Sequence, residues 1–187
     1  MIRSDLPDAL GIEAASATLN GITAWCEAGL VSHLKHRNCI AMVAELSDGR
    51  IAGFMLYEMN RCTLRLLRIG VASELRRHGV GMALLSKLKS KLSPTRRTKA
   101  VCIADERSSN LHYLLRAASF IAVDVVRDAF SIADDRYDGY RFEFSLDEPD
   151  LVMSSILCGC AKTVRSAAKS QNQICHQRQS RWQDSSC

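Results

Sequence analysis

The chain has no long hydrophobic run. Its longest apolar stretches, residues 40–44 and 151–158, are short beside the roughly 18 residues that a membrane-spanning helix requires, so no membrane partner is expected. The opening Met1-Ile2-Arg3-Ser4-Asp5 has neither a basic segment nor an apolar core, so no secretory signal is read there and the cytoplasm is the expected compartment. No internal repeat is visible, which excludes solenoid and array folds. Eight cysteines are present, but without the spacing of a disulfide framework. Cys26, Cys39, Cys62 and Cys102 lie in apolar stretches and read as small core hydrophobes. Cys158, Cys160, Cys175 and His176 match no zinc pattern, and no metal site is expected.

A basic stripe is also missing. The net charge is +5, yet Lys162, Arg165, Lys169, Arg178 and Arg181 stand against Asp184 alone after residue 150. Most of the excess therefore belongs to the tail, and the nearly neutral body lacks the footprint of a nucleic-acid binder. The composition shift near Pro149 divides the chain into a body, residues 1–148, and a basic, cysteine-containing tail, residues 149–187. The tail's Ser-, Gln-, Lys- and Arg-rich makeup predicts a flexible extension, with docking on the ribosome or another acidic partner as the alternative reading.

What is present is a body of alternating periods. Met1 to Arg3 read as the remnant of a strand, and a helix follows from Leu6 to about Ser16, with Pro7 in its first turn. A second helical pattern covers residues 23–36. Residues 39–46 and 51–60 read as strands around Ser47-Asp48-Gly49-Arg50, where Asp-Gly supplies a tight hairpin; residues 63–71 make a third strand. Val80, Ala83, Leu84, Leu88 and Leu92 then recur at helical spacing until Pro94. A short strand at residues 100–104, a helix at 109–118 and strands at 122–127 and 140–146 complete the body, the last two separated by a polar loop around residues 134–138. The expected architecture is a mixed α/β sheet with helices on both faces.

Chemistry concentrates after the third strand. Residues 66–71 lead through Ala72-Ser73-Glu74-Leu75 into Arg76-Arg77-His78-Gly79-Val80-Gly81 and a helix. A strand, a glycine-bearing turn and a helix N-terminus in that order aim unpaired N–H groups and the positive end of a helix dipole at one point, which is an anion site. Gly79 and Gly81 let backbone approach a bulky phosphate. The Walker and dinucleotide fingerprints do not fit.

Arg76-x-x-Gly79-x-Gly81 resembles the Gln/Arg-x-x-Gly-x-Gly/Ala acetyl-CoA signature of the GNAT superfamily of acetyltransferases. The likeness extends from Met1 to Leu146 and is nearest to the ribosomal-protein-alanine N-acetyltransferases (RimI type), on Arg37-Asn38-Cys39-Ile40, Gly53-Phe54-Met55-Leu56-Tyr57-Glu58 and Asp138-Gly139-Tyr140. The resemblance implies the GNAT fold, a central mostly antiparallel sheet with splayed strands. It implies acetyl-CoA as co-substrate and a peptide or protein N-terminus, that of a ribosomal protein included, as acceptor. Backbone groups of Ile69, Gly70 and Val71 would pair with the pantetheine arm. Arg76, Arg77, His78, Gly79, Val80, Gly81 and Met82 would hold the pyrophosphate.

The resemblance also exposes departures. Aligned on Phe120, the expected glutamate base falls on Ile103, the cofactor-contacting asparagine on Ser108, the tyrosine acid on Leu115 and a glycine on Ser119. Ser108 remains a cofactor contact. Asp105, which shares a strand face with Ile103, and Glu106, on the other face, are the candidate substitute bases. Tyr140 is the candidate acid; Tyr113 is turned away on its helix, and His78 belongs to the phosphate loop. A non-catalytic acetyl-CoA-binding module and an enzyme for a small-molecule amine are the alternatives to the peptide acetyltransferase.

Overall fold

In the computed structural model, which describes residues 3–20, 22–132 and 134–146, the N-terminal helical spacing closes one face of a sheet. Leu6, Ala9, Ile12 and Ala17 are buried on α1 (Leu6–Asn20), and Leu30 and Leu34 on α2 (Glu27–Lys35). Arg3 opens a 3-10 turn, Arg3–Asp5, rather than a strand, and Met1 and Ile2 lie outside the described residues. The second helix begins later than its pattern predicted, because Trp25 N–H donates to Glu13 Oε1 at 3.1 Å and Thr23 O accepts from Arg68 Nη2 at 3.3 Å. Those bonds hold the segment before Cys26 out of the helix.

Six strands follow: β1 (Cys39–Glu45), β2 (Ile51–Met59), β3 (Thr63–Val71), β4 (Lys99–Asp105), β5 (Ile121–Ile132) and β6 (Asp135–Ser145). They form one sheet in the order β1-β2-β3-β4-β6-β5, mixed because β4 runs parallel to β3 and the other pairs are antiparallel. In the β1–β2 turn Gly49 alone takes a positive φ, 87°. Its N–H bonds Leu46 O at 3.0 Å, while Asp48 Oδ1 accepts Arg50 N–H at 3.1 Å. α3 (Val80–Lys89) and α4 (Ser109–Ala117) cover the second face.

The two faces carry separate cores. Phe54 and Leu56 of β2 meet α1 and α2. Met55 and Tyr57 meet Leu84, Leu85 and Leu88 of α3 and Leu115 of α4. This two-sided burial is why β2 reads as a continuous apolar run. Gly53 and Gly70 lie where there is no room: a Cβ on Gly53 would stand 2.7 Å from Gly70 O, and one on Gly70 2.7 Å from Phe54 and 2.9 Å from Ile12. Cys39 and Cys102 are buried, whereas Cys26 and Cys62 are exposed. Cys26 caps α2 through its sulfur and Cys62 lies in the short link from β2 to β3, so an apolar local sequence did not place them in the core.

The C-terminal strands are longer than their pattern. The polar stretch expected as a loop opens β6, whose residues 135–137 pair with residues 130–132 of β5. A bulge sets residues 127–129 against Asp138 alone. That carboxylate accepts Arg127 Nη1 at 2.6 Å and Asp128 N–H at 3.1 Å, so the polar residues build the ribbon rather than ending it. No helix among the described residues is long and apolar enough to cross a membrane. Residues 149–187, including their cysteines, lie outside the described residues.

Candidate active site

β3 and β4 pair only from Thr63 with Lys99 to Leu66 with Cys102. Just beyond, β3 carries a bulge: Tyr57 faces Leu66 and Leu56 faces Arg68, leaving Leu67 as the extra residue. The strands then part. Ala72 N–H still bonds Ala52 O across the β2 side at 2.9 Å. By the alternation of an antiparallel ladder, Gly70 also turns to β2, while Ile69 and Val71 aim their N–H and C=O at the gap that β4 has left.

The free edge leads directly into the turn and α3. Gly79, with φ 84°, is the N-cap of α3 and supplies no side-chain bond to its first amides. Those of Val80, Gly81 and Met82 are therefore open to an anion. Arg77 also has a positive φ, 65°. Arg76 Nε donates to Val71 O at 3.3 Å, its Nη2 is buried without a partner, and His78 Nδ1 lies 2.8 Å from Arg76 O. The two glycines of the motif do different work. A Cβ at Gly79 would meet nothing within 4 Å, so its backbone angle is what requires glycine; one at Gly81 would press Leu114 of α4 at 3.0 Å. Gly81 serves the contact between helices, with its amide left available.

A cavity of about 620 Å³ occupies the splay. Residues 65–69 of β3 and 102–105 of β4 line its flanks; Glu13, Trp25 and His33 close one end, and Ser108 with β5 residues 129–132 the other. Each carboxylate in this lining stands beside an arginine. Asp105, 4 % exposed, accepts Arg107 Nε at 2.9 Å and Nη2 at 2.7 Å, and Arg107 N–H at 3.0 Å. Burial works to raise its pKa, but the bonds from Arg107 prevail and hold it below the ordinary carboxylate value. Arg107 is raised in turn, chiefly by the same bond, and its guanidinium lies 3.4 Å over the Tyr137 ring. Glu13 Oε1 stands 3.5 Å from Arg68 Nε, and Glu58 Oε2 4.0 Å from Arg65 Nη1.

The structure places the sequence-derived candidates unequally. Asp105 and Ile103 share the cavity. Ser108 is buried there, its N–H bonded to Asp105 O at 2.9 Å. Glu106 is exposed and outside the lining; its Oε1 accepts Asp138 N–H at 3.2 Å. Tyr140 is half-buried on the α4 side of the sheet, edge-on to His112 at 5.4 Å. Tyr113 is exposed and Leu115 fully buried.

Glu13, Trp25, His33, Arg68 and Arg107 were not singled out by sequence. Glu13 alone left a trace: it occupies the helical stripe of Leu6, Ala9 and Ala17, where the period calls for an apolar residue, and it is 4 % exposed. Arg68 meets partners 45 to 55 positions away, which no local pattern encodes.

The fold has known counterparts. The model of the acetyltransferase (GNAT) family matches residues 12–114. No curated protein matches the chain in sequence. The ribosomal-protein-S18-alanine N-acetyltransferase of Escherichia coli superposes with TM-score 0.66 at 20% identity, covering 78% of this chain and 90% of its own. Arabidopsis thaliana NAA60, solved with acetyl-CoA, gives 0.63 at 15%, covering 79% and 96%. Spermidine N-acetyltransferase of Vibrio cholerae, solved with CoA and spermine, gives 0.63 at 15%, covering 78% and 92%. With more than half of its length matched by the family model, the chain belongs to the acetyltransferase (GNAT) family.

Proposed function

We propose that the chain transfers acetyl from acetyl-CoA directly to an amine, and that the amine is the α-amine of a peptide or protein. The observation that carries the reading is the continuity of the free β3 edge with the uncapped α3 N-terminus. An extended amide-bearing arm pairs with such an edge as an added strand. A pyrophosphate fits the α3 amides, the helix dipole and the unpartnered Arg76 guanidinium nitrogen. Ile69 and Val71, with Gly70 extended between them, would take the arm, residues 76–82 the phosphates, and Ser108 the region beside the thioester. The cavity beyond admits the acceptor.

In the transfer the ammonium first gives up one proton to water or Asp105, the neutral nitrogen forms a bond to the thioester carbonyl carbon, the carbon–sulfur bond breaks, and the departing CoA thiolate takes up the nitrogen's second proton. Of the three candidate catalytic residues only Asp105 lines the cavity. Tied to Arg107, it is a fixed negative charge that attracts an ammonium and a weak base once the ammonium is there. Ile103 and Leu115 offer no proton transfer, so catalysis rests mainly on placement, with a deficit of about 100-fold to 10,000-fold relative to a site with a full base. The same lock on Asp105 favours a second reading, a cofactor-binding module with no turnover. We assign the activity to residues 1–148 and treat the basic tail as a separate element.

The test is acetyl-CoA turnover on peptides beginning with Ala, Ser or Met, alongside calorimetric titration of acetyl-CoA. Turnover with any of them supports the enzyme; binding without turnover leaves the module; no binding removes both.

A further inference from the structure

Among the described residues of the cleft, the carboxylates and arginines fall into three ion pairs. Glu13 faces Arg68, Glu58 faces Arg65 and Asp105 faces Arg107, at 3.5, 4.0 and 2.7 Å. Arg68 lies on β3 just past Leu66, the last residue paired to β4, where the strands separate. Its partner Glu13 comes from α1 and is nearly inaccessible, with 5% of its side chain exposed against 21% for Arg68. Asp105, at the end of β4, also interacts electrostatically with Arg68, so the guanidinium offsets a carboxylate on both sides of the gap.

Arg68 cannot swing aside. Nη2 is bonded to Thr23 O at 3.3 Å, and the guanidinium carbon lies 4.8 Å from the centre of the Trp25 ring. Trp25 is stacked on its own account against His33 at 4.3 Å and 12°. A tethered cation therefore lines the cavity where β3 and β4 part, and an incoming molecule meets its charge.

Resting on the acceptor reading above, we propose that Arg68 is a specificity-determining residue: it restricts the cleft to amines whose reacting ammonium is their only nearby positive charge, and excludes polyamines and peptides with lysine beside the N-terminal residue. A single ammonium settles near Asp105 and gains from it. A second cation on the same molecule meets Arg68, a like charge in a partly desolvated site. Removing the guanidinium uncovers Glu13 and Asp105, and the preference should reverse.

The experiment compares kcat/KM for peptides starting Ala-Ala and Ala-Lys and for spermidine, in the wild type and in Arg68→Gln, Glu13→Gln and the double variant. Spermidine is titrated in parallel by calorimetry into each CoA-saturated protein, with circular dichroism to confirm folding. The wild type should favour Ala-Ala at least ten-fold over both cationic acceptors, and bind spermidine without measurable heat. Arg68→Gln should lower that ratio at least ten-fold and make spermidine binding measurable. Glu13→Gln should raise the ratio, and the double variant should return it toward the wild-type value. If Arg68→Gln does not fold with Glu13 unpaired, Glu13→Gln and the double variant still read the effect. An unchanged ratio, or spermidine heats alike in the wild type and Arg68→Gln, overturns the proposal. Absence of turnover with every amine counts against the proposed function, while the spermidine titrations still decide the role of Arg68.

Discussion

Replacing Gly79 by asparagine and by aspartate separates the electrostatics of the phosphate site from its shape. Gly79 has φ 84° and nothing within 4 Å of where a Cβ would stand, so neither side chain collides with the protein. Asparagine and aspartate are among the residues that best tolerate the left-handed region, and the strain should be about 1 kcal/mol or less in both. The two differ by one negative charge beside the first turn of α3. Two unit charges about 4 Å apart interact by roughly 1 kcal/mol in bulk water and roughly 4 kcal/mol near a protein surface. Aspartate should therefore weaken acetyl-CoA binding by between about five-fold and several hundred-fold relative to asparagine, with both thermal midpoints close to that of the parent. Calorimetric titration at low and high salt measures this, and the gap should narrow at about 1 M ionic strength. Equal affinities for the two variants would refute the placement of the phosphates at α3.

Three other perturbations follow from the packing and the charges. Gly53→Ala would push a methyl against Gly70 O at 2.7 Å, and since a backbone carbonyl in a ladder yields little, denaturant unfolding should show a loss of about 1–3 kcal/mol. Asp105 has a depressed pKa in the folded chain, so its contribution is present above the unfolded carboxylate value of about 3.9 and is lost as pH falls through the lower folded value. Asp105→Asn should therefore destabilise the protein at pH 7 by about 1–3 kcal/mol through the loss of charge-assisted hydrogen bonds from Arg107, and the gap to wild type should shrink in unfolding curves taken toward pH 2. Burial pushes the thiols of Cys39 and Cys102 up to about 11 and about 12. Peptide mapping after brief alkylation at pH 8 should find Cys26 and Cys62 modified, and Cys39 and Cys102 protected until the chain unfolds.

Where a residue's role depends on near neighbours, the sequence displays it. The change from strand to helical period around residues 71–80 marks the glycine-bearing turn into α3, because backbone angles and helix termini are set within a few positions. Asp105 and Ile103 could be assigned to one face by strand alternation alone, and Glu106 to the other. The acceptor end was illegible for the opposite reason. Glu13, Trp25 and Arg68 acquire their roles from partners on other elements, and an arginine in a strand looks the same whether it faces water or a buried glutamate; Arg107, bonded to Asp105 two positions away, was a local pair that the motif reading passed over. Gly81 was legible as a glycine but not in its reason: the motif suggested closeness to phosphate, and the neighbour that enforces it is Leu114. The β5–β6 ribbon was obscured because its bulge breaks the alternation that marks a strand, and its polar residues bond to each other across it.

The brief pairing of β3 with β4 also bears on how the chain finds this structure. β1, β2 and β3 are joined by short turns, so residues 39–71 can form their ladders by local closure. The junction from Thr63–Lys99 to Leu66–Cys102 must instead bring together segments about 36 positions apart, after α3 has formed between them, and closures of that kind are the slow ones. In pulse-labelling hydrogen exchange the amides of β2 should gain protection before those of residues 100–102; simultaneous protection would contradict this order. The seam where the cavity opens is then, with the β4–β6 ladder, among the late parts of the sheet to close, and a chain stalled there would hold a finished β1–β3 meander waiting for its partner.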